Sequence, residues 1–379
     1  MKNIIVIYLG SIYRVPPVQS LLNALGGSNN RTSLIITKGG INADDEIRKH
    51  ISVHELDIEY NNDIPITSKI LRTYKLRKKL WTKIDSLYNN NSILWIISDV
   101  TLKNLGKKLL SYQYILHLYE LVEKTYMIPK FKFYDINVQK YAQHALRVVV
   151  PEYNRAHITK AWWGLSEIPF IIENKPYYPE IPRVKDQNIT HSPIADSIIK
   201  KLHDKKIILY QGILHKERPL DNFIHAVNKL GDEYAFVVMS NGENIYKEID
   251  SSNYFFIPFV KAPYHLEITS HAYIGVLSYV PTHTTDYSIL NAVYCAPNKT
   301  FEYSCFGVPM ISNDIPGLHY LFDSYKCGKC VDLNNIDMIA QCIKEMDQDY
   351  DEFSRNSFRF YDSVDYLDRI RQLISEITK

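Results

Sequence analysis

The stretch Ala296–Asp314, APNKTFEYSCFGVPMISND, reads as loop, short helix, glycine stop and strand. Pro297 closes a loop, Asn298 is a favourable N-cap, and Lys299 to Phe306 makes about two helical turns. Gly307 supplies a left-handed stop, and Val308-Pro309-Met310-Ile311 continues as a short buried strand. Lys299 and Glu302 share a helix face, with roughly 4.5 Å of rise between them. Exposed N–H groups at a helix start beside a lysine suit a diphosphate. A carboxylate one turn deeper suits the vicinal hydroxyls of a ribose. The same pair also fits an ordinary surface helix with an i,i+3 ion pair, so the surrounding chain has to decide.

Upstream, Lys206 to Tyr210 opens an alternating run: strand, Gln211-Gly212, loop, then a helix with Leu220, Phe223, Ile224 and Val227 on one face. Arg218-Pro219 stands at that helix's start, where a cation is useful if an anion binds. Tyr234 to Met239 reads as a strand leading to the turn Asn241-Gly242, and Tyr254 to Phe259 and Tyr273 to Leu277 as two more. Ser278 to Ala296 is a long loop or broken helix. Such loops in compact domains are usually functional, and this one is expected to bring Asp286 to Asn291 over a ligand.

The first half repeats the alternation. Ile4–Leu9, Thr32–Thr37, Val53–Ile58, Ile93–Ile97, Tyr114–Leu118 and Arg147–Val150 are strand candidates with helical patterns between them. That order predicts an α/β chain with parallel, doubly wound sheets. No G-x-G-x-x-G follows the first strand, which argues against a dinucleotide oxidoreductase. Gly10-Ser11 lies at that strand's carboxyl end, either as a close approach to a ligand or as a plain turn. His117 and Glu120 end the fifth strand on the crevice side; the histidine faces either a reacting centre or a satisfied core. Arg155, past the sixth strand, is either an anion ligand or a charge at a helix start.

At 379 residues the chain suits two domains of roughly 170–190 residues. Its 46% hydrophobic and 23% charged residues are those of a globular protein, and a net charge of +2 excludes a global polyanion binder. Five cysteines without regular spacing make no disulfide framework and point to a reducing compartment. Cys327-Gly328-Lys329-Cys330 is a lone C-x-x-C lacking the partner pair of a zinc site. MKNIIVIYLG reads as a first strand and not as a signal peptide. With no apolar run of about 18 residues, the expectation is a cytoplasmic protein that at most rests on a membrane surface. Residues 68–84, SKILRTYKLRKKLWTKI, carry Lys69, Arg72, Lys75, Arg77, Lys78, Lys79 and Lys83 without one acid. They form either a basic amphipathic helix against anionic lipid or a solvated face. No nucleic-acid-binding module surrounds them.

Pro297-Asn298-Lys299, Phe301-Glu302-Tyr303, Gly307-Val308-Pro309, Asn313-Asp314 and Pro316-Gly317 resemble the donor-site signature of GT-B glycosyltransferases. The likeness is to the retaining family 4 members that build capsule, O-antigen and other surface polysaccharides. It is specific in this stretch, looser over 180–335 and architectural before that. The resemblance implies a GT-B fold of two Rossmann-like domains facing across a cleft. Residues 1–176 would bind the acceptor, 177–204 would be the hinge and 205–350 would bind the donor. Residues 351–379 would pack back on the first domain. It further implies Gly212, Arg218 and Lys216 at the diphosphate, Asn241-Gly242 near the base, and Asn291, Asn298, Lys299 and Glu302 lining the donor. Glu302 would hold the ribose. His117 and Glu120 would take the place of the family's His-Asp or His-Glu pair, and Gly10, Ser11 and Arg155 would face the acceptor.

The chain departs from the pattern at Ile213, where a basic residue often stands, and at Tyr294, where the commonest pattern has a second Glu. The function implied is transfer of a sugar, with retention, from a nucleotide-diphosphate donor, UDP favoured, to a saccharide or polyprenyl-linked acceptor. No metal is implied, because no His/Asp cluster has ligand spacing and the cations can neutralise the leaving diphosphate. Two rivals stay open: a nucleotide-sugar epimerase or hydrolase, and a catalytically inactive nucleotide-sugar-binding partner, the latter motivated by Tyr294 and Ile213.

Overall fold

A computed structural model describes residues 2–58, 66–128, 133–215, 218–282 and 288–378. The chain divides into two compact units. One comprises Met1–Glu173, Thr284–Asn291 and Tyr366–Lys379, and the other Asn174–His283 and Ala292–Asp365.

The first unit contains β1 (Asn3–Tyr8), α1 (Pro16–Gly26), β2 (Arg31–Thr37), β3 (Ser52–Leu56), α2 (Ile66–Leu87), β4 (Ser92–Ile97) and α3 (Ser98–Leu105). It continues through β5 (Tyr114–His117), β6 (Thr125–Ile128), β7 (Phe133–Ile136), α4 (Val138–His144), β8 (Arg147–Val150), α5 (Tyr153–Trp163) and β9 (Phe170–Ile171). Seven strands form a parallel sheet in the order β3-β2-β1-β4-β5-β8-β9. Runs such as Ile4–Ile7 and Ile93–Ile97 are buried throughout, as a sheet covered on both faces requires. Leu76, Leu80, Trp81 and Ile84 of α2 pack on the sheet beside Leu102 and Leu105 of α3. The antiparallel pair β6–β7 was not expected, because its short strands carry no long apolar run.

The second unit contains α6 (Pro193–Lys201), β10 (Lys206–Gln211), α7 (Asp221–Leu230), β11 (Tyr234–Ser240), β12 (Tyr254–Pro258), α8 (His265–Thr269) and β13 (Ile274–Leu277). After α9 (Leu290–Val293) come α10 (Asn298–Ser304), β14 (Met310–Ser312), α11 (Pro316–Tyr325), β15 (Gly328–Cys330), α12 (Ile336–Gln348) and α13 (Tyr350–Asp362). Its six strands are also parallel, in the order β12-β11-β10-β13-β14-β15. Residues 177–204, read above as a hinge, lie within this unit. Tyr178, Ala195, Ile199 and Leu202 join its core, and Thr190 Oγ1 donates to Glu267 Oε1 at 2.8 Å.

Beyond residue 350 the chain parts company with itself. Phe360 of α13 stacks on Phe301 of α10 at 4.7 Å, and Lys175 Nζ caps α13 through Tyr361 O and Val364 O, each at 2.6 Å. Only α14 (Tyr366–Ile377) belongs to the first unit, where Arg147 Nη2 meets Glu376 at 2.8 Å and Arg369 meets Glu173 at 3.1 Å.

Gly307 has φ 64°, and a Cβ there would overlap the Phe358 ring. Gly307→Ala combines a left-handed penalty with overpacking and is expected to destabilise the second unit by about 2–4 kcal/mol. Urea unfolding followed by far-UV circular dichroism checks this, because the four tryptophans lie in the first unit and would not report the second; an unchanged transition would refute the role given to the stop.

Candidate functional site

The short helix α10 is held by its aromatic residues. Tyr303 inserts its ring where a side chain on Gly275 of β13 would stand, and its hydroxyl donates to Leu209 O of β10 at 2.9 Å. This anchor turns Lys299 and Glu302 toward the carboxyl ends of β10 and β13. There the strand order reverses, the place where open α/β sheets bind ligands. Pro297, and not Asn298, is the N-cap: Asn298 is already helical, and Thr300 Oγ1 bonds back to Pro297 O at 2.8 Å.

Lys299 is only 7% exposed. Its ammonium lies 5.0 Å from the Tyr210 ring centroid and 5.2 Å from that of Tyr279, and no described residue accepts a hydrogen bond from it. Burial first, and then the Arg218 guanidinium, push its pKa down to about 7; Glu302 opposes them. A Cβ on Gly212 would come within 2.9 Å of Nζ, and Gly212 has φ 139°, so the glycine keeps room for the lysine. Arg218 lies 5.1 Å from the Tyr279 ring centroid. Two cations thus lie against the same tyrosine ring. A buried cation without an anion is costly, and an anionic ligand would remove that cost.

Glu302 is 4% exposed, deeper than a freely presented ribose acceptor. Gln211 Nε2 donates to Oε2 at 2.6 Å, and His265 Nε2 is 3.2 Å from Oε1. Thr269 Oγ1 in turn donates to Gln211 Oε1 at 2.6 Å. Burial raises the carboxyl pKa, but His265, Gln211 and Lys299 outweigh it and hold the pKa below its ordinary value. The carboxylate is therefore an anion, and with about four lone-pair sites it retains accepting capacity. Gln211, His265, Thr269 and Tyr279 escaped the sequence reading. One signal was available: Gln211 is a polar residue closing an otherwise apolar strand directly before Gly212.

Asn241 and Gly242 are exposed just past β11, whose Met239 O accepts from Gly212 N at 3.0 Å. Lys216 and Asp286 fall outside the described residues. Asn291 lies in the first unit, where its Oδ1 accepts from Leu121 N at 2.7 Å and its Nδ2 donates to Leu121 O at 2.9 Å. Tyr294 is half-buried beside Gly317 at the start of α11.

In the first unit His117 is 1% exposed at the end of β5. Trp95 Nε1, which can only donate, meets Nδ1 at 3.2 Å, so the proton of the neutral ring is on Nε2. That Nε2 has no partner among the described residues, nor has the hydroxyl of Tyr119, whose ring is 4.5 Å away. Burial pushes the histidine pKa down to about 3, which makes it a neutral hydrogen-bond donor and removes it as a proton-transfer group near neutral pH. Glu120 is half exposed, 3.5 Å from Arg155. Arg155 is buried and donates to Tyr119 O at 2.5 Å and Asn291 O at 3.1 Å. Gly10 packs against the Tyr8 hydroxyl and Ser11 precedes a 3-10 turn, Ile12–Arg14.

The basic stretch is the helix α2, but its apolar residues face the core. Leu80 and Trp81 are buried, while Tyr74 and Lys75, Lys78 and Lys79 stay exposed. Arg77 caps the end of α3 at Asn104 O, 2.9 Å, and Lys79 reaches Asp57 O at 3.0 Å. The side chains of Lys69 and Ile70 are outside those described. No helix among the described residues is long and apolar enough to cross a membrane.

Comparison with solved structures fits this architecture. Sucrose-phosphate synthase from Thermosynechococcus elongatus superposes with a TM-score of 0.67 at 13% identity, covering 100% of this chain and 99% of that one. The chain has the GT-B fold. Anabaena HepE in complex with UDP and glucose gives 0.64 at 10% identity, covering 100% of both chains. A glycosyltransferase from Rickettsia africae gives 0.63 at 13% identity, with 100% and 99% covered. No protein-family model and no curated protein sequence matches the chain. What is shared at these identities is the fold, as the glycine- and proline-punctuated stretch around α10 implied.

Proposed function

We propose that the protein is a glycosyltransferase that takes a sugar from a nucleotide diphosphate bound on its second unit. The observation that carries this is Lys299: a buried ammonium, unpaired by any described anion through a hydrogen bond, beside Arg218 and a glycine that leaves it space. Two cations fixed before the ligand arrives stabilise the charge that develops on a departing diphosphate. The HepE structure holds UDP and glucose, which favours UDP as the nucleotide here. Retention at the anomeric carbon follows from the family resemblance. The acceptor, a saccharide or a polyprenyl-linked saccharide of surface-polysaccharide assembly, would meet the first unit. There the His117 Nε2–H and the Tyr119 hydroxyl, which have no partner among the described residues, would bond sugar hydroxyls. The exposed lysines of α2 would help hold an anionic lipid surface nearby.

A thermal-shift panel of UDP, GDP, ADP and CDP sugars tests the reading. A ligand at a hundred times its Kd stabilises by about 2.7 kcal/mol, well above the noise of such a panel. UDP and UDP-sugars are expected to raise the melting temperature of the wild type and to lose that effect in Lys299→Met. No shift with any nucleotide diphosphate, or an equal shift in the variant, would overturn it. Turnover of the donor only when a saccharide is added separates transfer from hydrolysis or epimerisation.

A further inference from the structure

Three potential metal ligands from separate elements of the second unit meet at its surface. Asp314 follows β14, His319 lies in α11 and Cys330 ends β15; one ligand atom of each lies within 4.8 Å of the others. Asp314 Oδ1 is 2.8 Å from His319 Nδ1, and Asp323 Oδ2 is 3.0 Å from Nε2. A carboxylate on the far nitrogen fixes the tautomer of a metal-bound histidine and raises its basicity. With the proton held at Nε2 by Asp323, the neutral ring would turn the Nδ1 lone pair toward the Asp314 carboxylate. That is a repulsive arrangement unless a cation, either a second proton or a metal ion, lies between them.

Cys330 favours the metal ion. It is the one cysteine of the five that is not buried, and among the described residues its Sγ has one hydrogen-bond contact, Ser312 Oγ at 3.6 Å. The C-x-x-C spacing is not what recruits it, because Cys327 is fully buried. Carboxylate, imidazole and thiolate together are the oxygen, nitrogen and sulfur donors of a borderline divalent ion, with solvent completing a tetrahedron. We propose that Asp314, His319 and Cys330 bind a zinc-class divalent cation, with Asp323 orienting His319. Asn313, next to Asp314, accepts from Tyr279 N at 2.9 Å and donates to Tyr279 O at 2.7 Å. The ion would thus stiffen the junction of β14 and α11 one residue from the clamp that holds Tyr279 over Lys299.

The test uses the full chain without an affinity tag, stripped with EDTA and kept reduced. Titration with Co2+ is expected to give a thiolate-to-cobalt charge-transfer band and tetrahedral visible bands, saturating at one ion per chain and bleached by Zn2+. Cys330→Ser should lose the charge-transfer band, and Asp323→Asn should keep it with about 10–100-fold weaker binding. Zn2+ should also slow alkylation of Cys330, located by peptide mapping. Absence of the band in the wild type, its persistence in Cys330→Ser, or alkylation unaffected by Zn2+ would overturn the site and leave a protonated His319 between two carboxylates.

Discussion

Lys299→Met is expected to lower kcat/KM for the nucleotide-sugar donor by about 10²–10³-fold, the loss typical of removing one preorganised group from a developing charge. Methionine keeps most of the side chain's length and apolar contact with Tyr210 and Tyr279, so the fold should tolerate it better than it tolerates a buried charge. The pH dependence gives a second, sharper readout. In the free protein the Lys299 pKa is pushed down to about 7 by burial and by Arg218. A bound diphosphate favours the charged ammonium, so it raises that pKa, and binding above pH 7 must take up a proton. Affinity should therefore be full below pH 7 and fall by up to about tenfold per unit above it, until the pKa of the complex is reached. Calorimetry of UDP binding between pH 6.5 and 9 checks the slope and, through buffers of different ionisation enthalpy, the proton uptake. Lys299→Arg keeps its charge throughout and should give a flat profile. A wild-type profile that is flat above pH 7 would remove Lys299 from the diphosphate.

Much of this arrangement was legible in local spacing. Gly307 announced the end of α10, Gly212 the close approach after β10, and Lys299 and Glu302 their common face, because each depends on backbone geometry over a few residues. What could not be read was partnership across elements. Asn291 looked like a donor ligand, yet its amide is consumed by the main chain of Leu121. Arg155 read as either an anion ligand or a charge at a helix start, and its bonds to two carbonyls could not be foreseen. The α2 stretch read equally as a lipid-facing amphipathic helix or a solvated face, and that Leu80 and Trp81 are spent on the core could not be read from it. His265 reaches Glu302 from α8, and His319 and Cys330 come together from α11 and β15, pairings that local periodicity does not show. The extent of α13 was likewise set by a tertiary contact, Phe360 on Phe301.

Glu302→Gln is expected to cut the preference for ribose over 2′,3′-dideoxyribose in a bound uridine diphosphate by about tenfold or more. Hydrogen bonds to a charged group contribute about 1.5–3 kcal/mol, and the amide offers a neutral acceptor in place of an anion. The carboxylate already accepts from Gln211 and faces His265, so the ribose hydroxyls would use the accepting positions these leave. The same substitution removes the negative charge that raises the Lys299 pKa, so the midpoint of the pH profile should move below 7. It also deprives Gln211 and His265 of an anionic partner, at a cost of about 1–3 kcal/mol in stability. A purely structural Glu302 would give the stability loss and the shifted midpoint while leaving the discrimination between ribose and dideoxyribose intact. That combination would move the ribose elsewhere, and measuring both nucleotides on both proteins at pH 6.5, where Lys299 is largely charged in the wild type, decides it.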